Sequence, residues 1–271
     1  AGEGEPLLHR EAPDIINKTK SLGIDAAMST NGVLLTPEVS RECLNSLTWI
    51  RFSMAGITDT TYNKIQQGRP GDLSKVLSNM EMAVRVKREQ NLRTTLGVQL
   101  LLLPDNKDEI VQMGKELRNI GVDYFTIKPF SQHPQSQHIL QVDYKEMLEL
   151  EKEVKELQTD DYKVYFRAHS MQKLECKRCY EHCWALPFMV YMDARGNLWP
   201  CIVFMGKEDL KYGNINEHSF VEIWEGEHRK KIIDYFMNMN LEENCRELCR
   251  LDEMNRYLDQ LKHQGEHVNF I

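Results

Sequence analysis

Six of the seven cysteines in this 271-residue chain lie between Cys176 and Cys249. They run as Cys176-x2-Cys179-x3-Cys183, then Cys201, then Cys245-x3-Cys249. A secreted disulfide scaffold is short and spreads its cysteines along the chain. A long chain with its thiols in one stretch points instead to a reducing compartment and a metal or cluster site. Val190–Met192 and Asn197–Ile202 flank Asp193-Ala194-Arg195-Gly196, the pattern of a β-hairpin, and such a hairpin brings Cys183 and Cys201 to one place. A helix expected over Glu242–Leu261 sets Cys245 and Cys249, four apart, on one face. Another is expected over Ser219–Phe236, with Ser219 as cap and Glu222 at capping-box spacing. Four thiolates in one pocket suit zinc or an iron–sulfur cluster, because soft ligands select these metals. Cys43 stands apart on a predicted helix and reads as core packing.

The first 170 residues alternate between helical and strand periods. Pro13–Leu22 reads as a helix stopped by Gly23, and Ile24–Ser29 as a short strand. Thr36 caps a helix that has Pro37 at its first position and runs to about Leu47. Thr48–Met54 alternates as a strand does. Asp72 can cap the next helix, whose Leu73, Val76, Leu77, Met80 and Val84 make one apolar stripe. Thr95–Leu103 is apolar enough to be buried on both faces. Asn106 and Glu109 have capping-box spacing ahead of a helix that Gly121 ends. Val122–Lys128, a helix over Asp143–Leu157 and a strand over Tyr162–Phe166 complete the series. This alternation predicts a parallel sheet with crossover helices. These strands are few for a barrel, so at least one strand–helix unit is expected before Ala1. The loop Phe130–Gln141 follows the carboxyl end of a strand, where parallel α/β folds host ligands. His133 lies in it. His182, inside the Cys179–Cys183 interval, is a candidate donor to whatever the thiols hold.

Charge and hydropathy narrow the classes of function. Lys+Arg less Asp+Glu is 34 − 41 = −7, which lacks the basic excess of a dedicated nucleic-acid binder. No apolar run approaches the roughly 20 residues of a membrane span, so no membrane partner is expected. No secretory signal is visible, and a cytoplasmic location is expected.

The cysteine spacing is specific in one further respect. Cys183-x12-Gly196-x4-Cys201, followed by more cysteines, resembles the SPASM/twitch extension of radical S-adenosylmethionine enzymes. Tyr212-Gly213-Asn214-Ile215, Ser219-Phe220 and Glu222-Ile223-Trp224 also look like that family. In the front half, Gly2-Glu3-Gly4-Glu5-Pro6 is similar to the family's Gly-Gly-Glu-Pro loop. Ser29-Thr30-Asn31-Gly32 and Arg51-Phe52-Ser53-Met54 look like two of its strand ends. The resemblance covers nearly the whole chain.

The resemblance implies an α/β fold, a partial (β/α)6 TIM-like barrel over 1–167 with its first strand–helix unit missing. A small Cys-rich α+β domain over 168–271 would hold an auxiliary cluster. It implies that Gly4, Glu5 and Pro6 face the amino group of S-adenosylmethionine, a carboxylate and carbonyls suiting an ammonium. Ser29, Asn31 and Ser53 would lie near its ribose and carboxylate, and Ile127 and Lys128 near its adenine and the substrate. Cys183, Cys201, Cys245 and Cys249 would ligate one 4Fe-4S cluster, with Cys176 and Cys179 replacing one of them or ligating a second metal. The family's Cys-x3-Cys-x2-Cys is absent, so the chain alone is expected not to cleave the cofactor reductively. Gly97-Val98-Gln99-Leu100 lacks the full Gly-x-Ile-x-Gly-x-x-Glu form of the family's fifth strand.

The function implied is generation of a 5′-deoxyadenosyl radical for hydrogen abstraction from a peptide or small-molecule substrate, such as a sugar or aminocyclitol. A flavodoxin or ferredoxin would be the electron donor. No catalytic side chain is singled out. The competing reading is a non-catalytic zinc- or cluster-binding interaction module on an incomplete barrel. Nucleic-acid modification is the least favoured, given the negative charge.

Overall fold

Strand alternation with one apolar and one polar face organises the front half of the chain. The computed structural model describes residues 4–137, 139–265 and 267. Gly2 and Glu3 of the Gly-Glu-Gly-Glu-Pro loop lie outside them. The chain divides into two units, one of 4–130 and 141–172, the other of 131–140 and the residues from Lys173 onward.

In the first unit, β1 (Ala26–Thr30), β2 (Leu47–Met54), β3 (Thr95–Leu102), β4 (Tyr124–Pro129) and β5 (Lys163–Phe166) pair in parallel in sequential order. They form at the five stretches that the strand periods mark in the sequence. Each crossover steps the same way round, as in a barrel, whereas a doubly wound sheet reverses at a switch point. The intervening helices are α1 (Ala12–Ser21), α2 (Pro37–Cys43), α3 (Asp59–Gln66), α4 (Asp72–Glu89), α5 (Ile110–Ile120), α6 (Leu150–Lys155) and α7 (Ala168–Gln172).

Residues in register across the sheet share a face. The row Phe52–Val98–Phe125–Val164 and the row Met54–Leu100–Ile127–Phe166 are buried. A Cβ built on Gly114 of α5 would meet Phe125, and one on Gly32 would meet both Phe52 and Val76 of α4. This is the face the helices cover, and each fully buried side chain on it contributes about 1.5–3 kcal/mol. The other face is polar, with Ser29–Arg51–Gly97–Tyr124 in one row and Ser53–Gln99–Thr126–Tyr165 in the next. Gly97 has a steric reason: a Cβ there would lie 2.0 Å from the Tyr124 ring, which rests across β3.

Local chemistry explains where the elements begin, and where the sequence misleads. Thr36 Oγ1 accepts from Val39 N, as its capping role requires. The helix stops at Cys43, and Leu44–Ser46 forms a 3-10 turn before β2. Helix α4 starts from Gly71, at φ +83, rather than from Asp72. Asp72 sits in the first turn and accepts from Arg69 N at 2.8 Å. The helix expected over Asp143–Leu157 is a 3-10 turn followed by the short α6. Asn106 and Glu109 form no capping box. Asn106 is buried and bonds Leu103 N, Ala55 O and Leu101 O. Glu109 accepts from Ile57 N, Thr58 N, Thr58 Oγ1 and Thr61 Oγ1, pinning the loop after β2. That loop leads into α3, an element the apolar pattern does not reveal.

In the second unit, β6 (Tyr191–Met192), β7 (Asn197–Trp199) and β8 (Gly213–Asn214) make an antiparallel sheet in that order. Four helices follow: α8 (Phe220–Glu225), α9 (Glu227–Met237), α10 (Leu241–Asn244) and α11 (Asp252–Lys262). The Ser219–Glu222 capping box forms as expected. The single helix expected over Ser219–Phe236 breaks at Gly226, which is extended at ψ 148. Leu198, Phe204, Tyr212, Ile223, Ile232 and Phe236 form the core. No helix among the described residues is long and apolar enough to cross a membrane.

Loss of the Glu109 carboxylate tests the pinned loop. Glu109→Ala should cost about 1–3 kcal/mol, read as a lower urea midpoint. Burial raises the Glu109 pKa, but the Thr58 and Thr61 hydroxyls and the Ile57 and Thr58 amides outweigh it, so the net shift is downward. Its stabilisation is therefore present above the unfolded-state pKa of about 4.3 and lost as pH falls below it. The variant's deficit should shrink accordingly in acid.

Candidate metal centre

Asp193 fixes the hairpin that carries the thiols. Its Oδ1 accepts from Arg195 N at 2.8 Å and Asn197 N at 3.0 Å. Its Oδ2 accepts from Asn197 Nδ2 and Trp199 Nε1, both at 2.9 Å. Gly196 closes the turn at φ +81, a conformation side chains disfavour, and a Cβ there would meet Asn216 Nδ2 at 2.7 Å. The glycine of the cysteine spacing thus has a physical role: it turns β6 back into β7, and the chain then runs on to Cys201.

Cys183, Cys201, Cys245 and Cys249 line one cavity, walled by Leu186, Phe204 and Phe236 among others. The thiols reach it from three separate segments. Cys245 and Cys249 do so from the chain between two helices and not from a helix face. Cys245 is extended at φ −122, ψ 149, which ends α10, and α11 begins only at Asp252. This replaces the one helix expected over Glu242–Leu261. The irregular backbone frees amides for sulfur: Leu251 N donates to Cys249 Sγ at 3.3 Å. Asn255 Nδ2 donates to Cys183 Sγ at 3.7 Å, and its Oδ1 accepts from Ala185 N. Arg178 clamps the loop, donating to Leu241 O and Arg246 O, both at 2.9 Å.

Burial, with a smaller upward push from the neighbouring cysteines, raises the Cys183 thiol to about 11 and the Cys201 thiol to about 12. Burial also raises Cys245, while Arg178 and Arg246 pull it down. Such thiols stay protonated at neutral pH unless a cation compensates the thiolates. Among the described residues, no three His, Cys, Asp or Glu side chains converge on a single-ion site; the four sulfurs stand around a space instead. Four soft donors, an apolar wall and N–H donors aimed at sulfur fit an iron–sulfur cluster.

The other two cysteines of the stretch lie outside this cavity, exposed. Cys176 lines a second, open cavity with Lys173, Arg178 and Cys245. Cys179 Sγ accepts from Arg256 Nη1 at 3.0 Å. Cys43 is buried in the first unit, its thiol donating to Val39 O. His182 Nδ1 meets Met237 O at 2.5 Å, and its ring packs edge-on against Trp184. Asn255 takes the place proposed for it, a residue the sequence reading passed over. Its spacing from Cys249 gives no signal, because the contact is made by the helix after the loop. His133 Nδ1 accepts from Gln135 N within its own loop.

The front-half candidates fall as follows. Glu5 Oε1 accepts from Thr30 Oγ1 at 2.7 Å and from Leu7 N, and Oε2 from Asn31 N at 2.6 Å. The Gly4-Glu5-Pro6 loop is therefore joined to the end of β1. Asn31 Oδ1 accepts from Val33 N. Ser29, Ser53 and Lys128 lie on the polar face of the sheet, and Ser29 Oγ accepts from Arg51 Nη2 at 3.0 Å. Ile127 lies on the opposite face, fully buried, and offers the polar face only its backbone.

A sequential parallel sheet followed by a thiol-walled α+β unit defines a barrel-type α/β protein with a cluster-binding appendage. Residues 183–250 match the family model of SPASM, an iron-sulfur cluster-binding domain. The chain is 26% identical over 242 residues to the AdoMet-dependent heme synthase of Methanosarcina barkeri, covering 82% of this chain and 66% of that protein. Two solved structures share the fold. Streptococcus suis SuiB bound to precursor peptide SuiA aligns with a TM-score of 0.66 at 13% identity, over 97% of this chain and 61% of its own. Native anSMEcpe with bound AdoMet and the Kp18Cys peptide aligns with a TM-score of 0.52 at 14% identity, over 89% of this chain and 72% of its own. Over residues 183–250 the chain resembles the SPASM iron-sulfur cluster-binding family, and over most of its length it is similar to an AdoMet-dependent heme synthase. It spans 66% of the length of the heme synthase it matches.

Loosening the clamp should expose one thiol selectively. In metal-free protein, Arg178→Met should speed alkylation of Cys245 by about tenfold, the effect of losing roughly 1.4 kcal/mol of protection. Cys201 should be unaffected by comparison, as read by mass spectrometry.

Proposed function

We propose that the chain works as a radical S-adenosylmethionine enzyme that abstracts hydrogen from its substrate, with an auxiliary 4Fe-4S cluster held by Cys183, Cys201, Cys245 and Cys249. The observation that carries this reading is the convergence of those four thiols on one apolar cavity. The auxiliary cluster would supply a one-electron acceptor for the substrate radical. The protein's own residues keep the four sulfurs apart from water, aim Leu251 N and Asn255 Nδ2 at two of them, and hold the Cys245–Cys249 loop through Arg178. In the first unit, Glu5 would bind the cofactor's ammonium through the lone pairs left after its bonds to Thr30 and Asn31. Ser29, Asn31, Ser53 and Lys128 would line the cofactor and substrate space. A peptide is the favoured substrate class, because SuiB and anSMEcpe were both solved with peptides. A flavodoxin or ferredoxin would supply the electron. The 271 residues contain no Cys-x3-Cys-x2-Cys, so cofactor cleavage is expected only where that set is supplied.

Iron, sulfide and zinc per chain after anaerobic reconstitution test this reading. About four irons and four sulfides are expected. Cys201→Ser and Cys249→Ser should each lower both, and Cys43→Ser should lower neither. One zinc without sulfide would mean a structural thiolate site and would overturn the proposal.

A further inference from the structure

The second unit treats its cations in two ways. Lys173 and Arg256 are neutralised: Lys173 Nζ and Arg256 Nε donate to Asp252 Oδ2 at 2.8 and 2.9 Å. Asp252 is buried, and Tyr180 Oη donates to its other oxygen. Arg178 and Arg229 pair with no carboxylate among the described residues. Arg178 donates to the backbone carbonyls on either side of Cys245, with its guanidinium 5.5 Å from the Tyr180 ring centroid. Arg229 Nη1 donates to Trp224 O at 3.1 Å and Nη2 to Pro187 O at 2.7 Å. Its guanidinium lies 3.6 Å from the Trp224 ring centroid and 5.5 Å from that of Tyr212. Carbonyls and aromatic faces fix a guanidinium in place and leave its charge uncancelled.

Both arginines adjoin the thiol cavity. Arg178 lines it, together with Tyr180 and Cys245. Arg229 holds the 3-10 turn Leu186–Phe188, whose Leu186 walls the cavity and donates from N to Cys183 O at 3.1 Å. Tyr212, next to the same guanidinium, packs in one core with Cys183 and Cys201. Arg229 is the only buried cation among the described residues, 8% exposed, and its Nε is buried without a partner. A buried cation is costly unless negative charge lies near it. Four thiolates around a four-iron core supply such charge, because they outweigh the positive core, and reduction adds one more negative unit. Fixed positive charge nearby therefore stabilises the reduced cluster more than the oxidised one.

We propose that Arg178 and Arg229 are the fixed counter-charges of the cluster held by Cys183, Cys201, Cys245 and Cys249, raising its reduction potential so that it accepts an electron. They act through space as positioning residues, not as ligands. The inference rests on the reading of the four thiols as cluster ligands.

A spectroscopic redox titration of the full, reconstituted chain tests this without turnover. Arg229→Gln keeps hydrogen-bond donors and loses the charge. It should lower the ratio of reduced to oxidised cluster about tenfold at a given potential, a shift of about 59 mV for one electron. Arg178→Gln should lower the ratio about threefold, because Arg178 also lines an open cavity where solvent screens it. Arg178→Lys and Arg229→Lys keep the charge and lose the fork, and each should stay within about twofold of the unaltered chain. Lys230→Gln removes an exposed cation one position along α9, paired there with Glu227, and should leave the ratio unchanged. Absence of a shift in either glutamine variant overturns the proposal. So does a shift in a lysine variant as large as in its glutamine counterpart, which would assign the effect to the bonds, or an equal shift in Lys230→Gln. If a glutamine variant does not hold iron, the lysine variant at that position decides: iron retained at the original potential supports the counter-charge, and iron lost overturns it. Iron and sulfide in the unaltered chain separate the two readings. Their absence sinks the cluster reading itself, whereas an intact cluster indifferent to both charges sinks this inference alone.

Discussion

Burial of four thiols around one apolar space is the constraint on which the second unit depends. A thiol is a small apolar group, and four of them fill a core without penalty as long as they keep their protons. As thiolates they need a positive charge among them, because burial has already raised Cys183 and Cys201 far above the usual thiol range. Phe204, Phe236 and Leu186 wall the same space, and a bound metal group there would supply the compensating charge. The polar contacts that remain, Leu251 N and Asn255 Nδ2, are donors to sulfur. Donors stabilise the thiolate form and do not compete with a metal for it.

The first unit solves a different problem. A parallel sheet normally buries both faces, and here one face is apolar and helix-covered while the other carries Ser29, Arg51, Ser53, Gln99 and Lys128. Polar side chains on a sheet interior demand either partners or a ligand. The Ser29–Arg51 bond and the Arg51–Trp49 contact supply part of that demand within the protein. The absence of a side chain at Gly97 lets one aromatic ring cover the middle of the face.

Elements whose signal is local were visible in the sequence. Thr36-Pro37, the Ser219–Glu222 box and the Gly121 stop act within a single turn, and all three appear in the structure. The sheet and its order follow from alternation. What escaped depended on partners distant in sequence. Asn106 and Glu109 have the spacing of a capping box, yet both satisfy backbone some fifty residues away. The helix expected through Cys245 and Cys249 has good helical periodicity, and α11 keeps its later part. Its start is lost because Cys245 turns extended and Arg178, from another segment, ties down the carbonyls on either side. Which thiols meet was only partly readable for the same reason: six cysteines have similar spacings, and tertiary packing separates Cys176 and Cys179 from the other four.

Gly196 shows how a motif can be read physically. Its interval from Cys201, four residues, is the length of β7 plus one proline. Its left-handed turn is reinforced from the other side by Asn214 and Asn216, which donate to Arg195 O. Those asparagines belong to the Tyr-Gly-Asn-Ile-Asn stretch that accompanies the cysteine pattern. The two sequence signatures are therefore one structural device. The glycine makes the turn, the asparagines of β8 and the turn beyond it hold the turn closed, and the strand so oriented leads Cys201 to the cavity that Cys183 enters from the opposite end of the hairpin segment. A change at either signature moves a ligand without touching a cysteine.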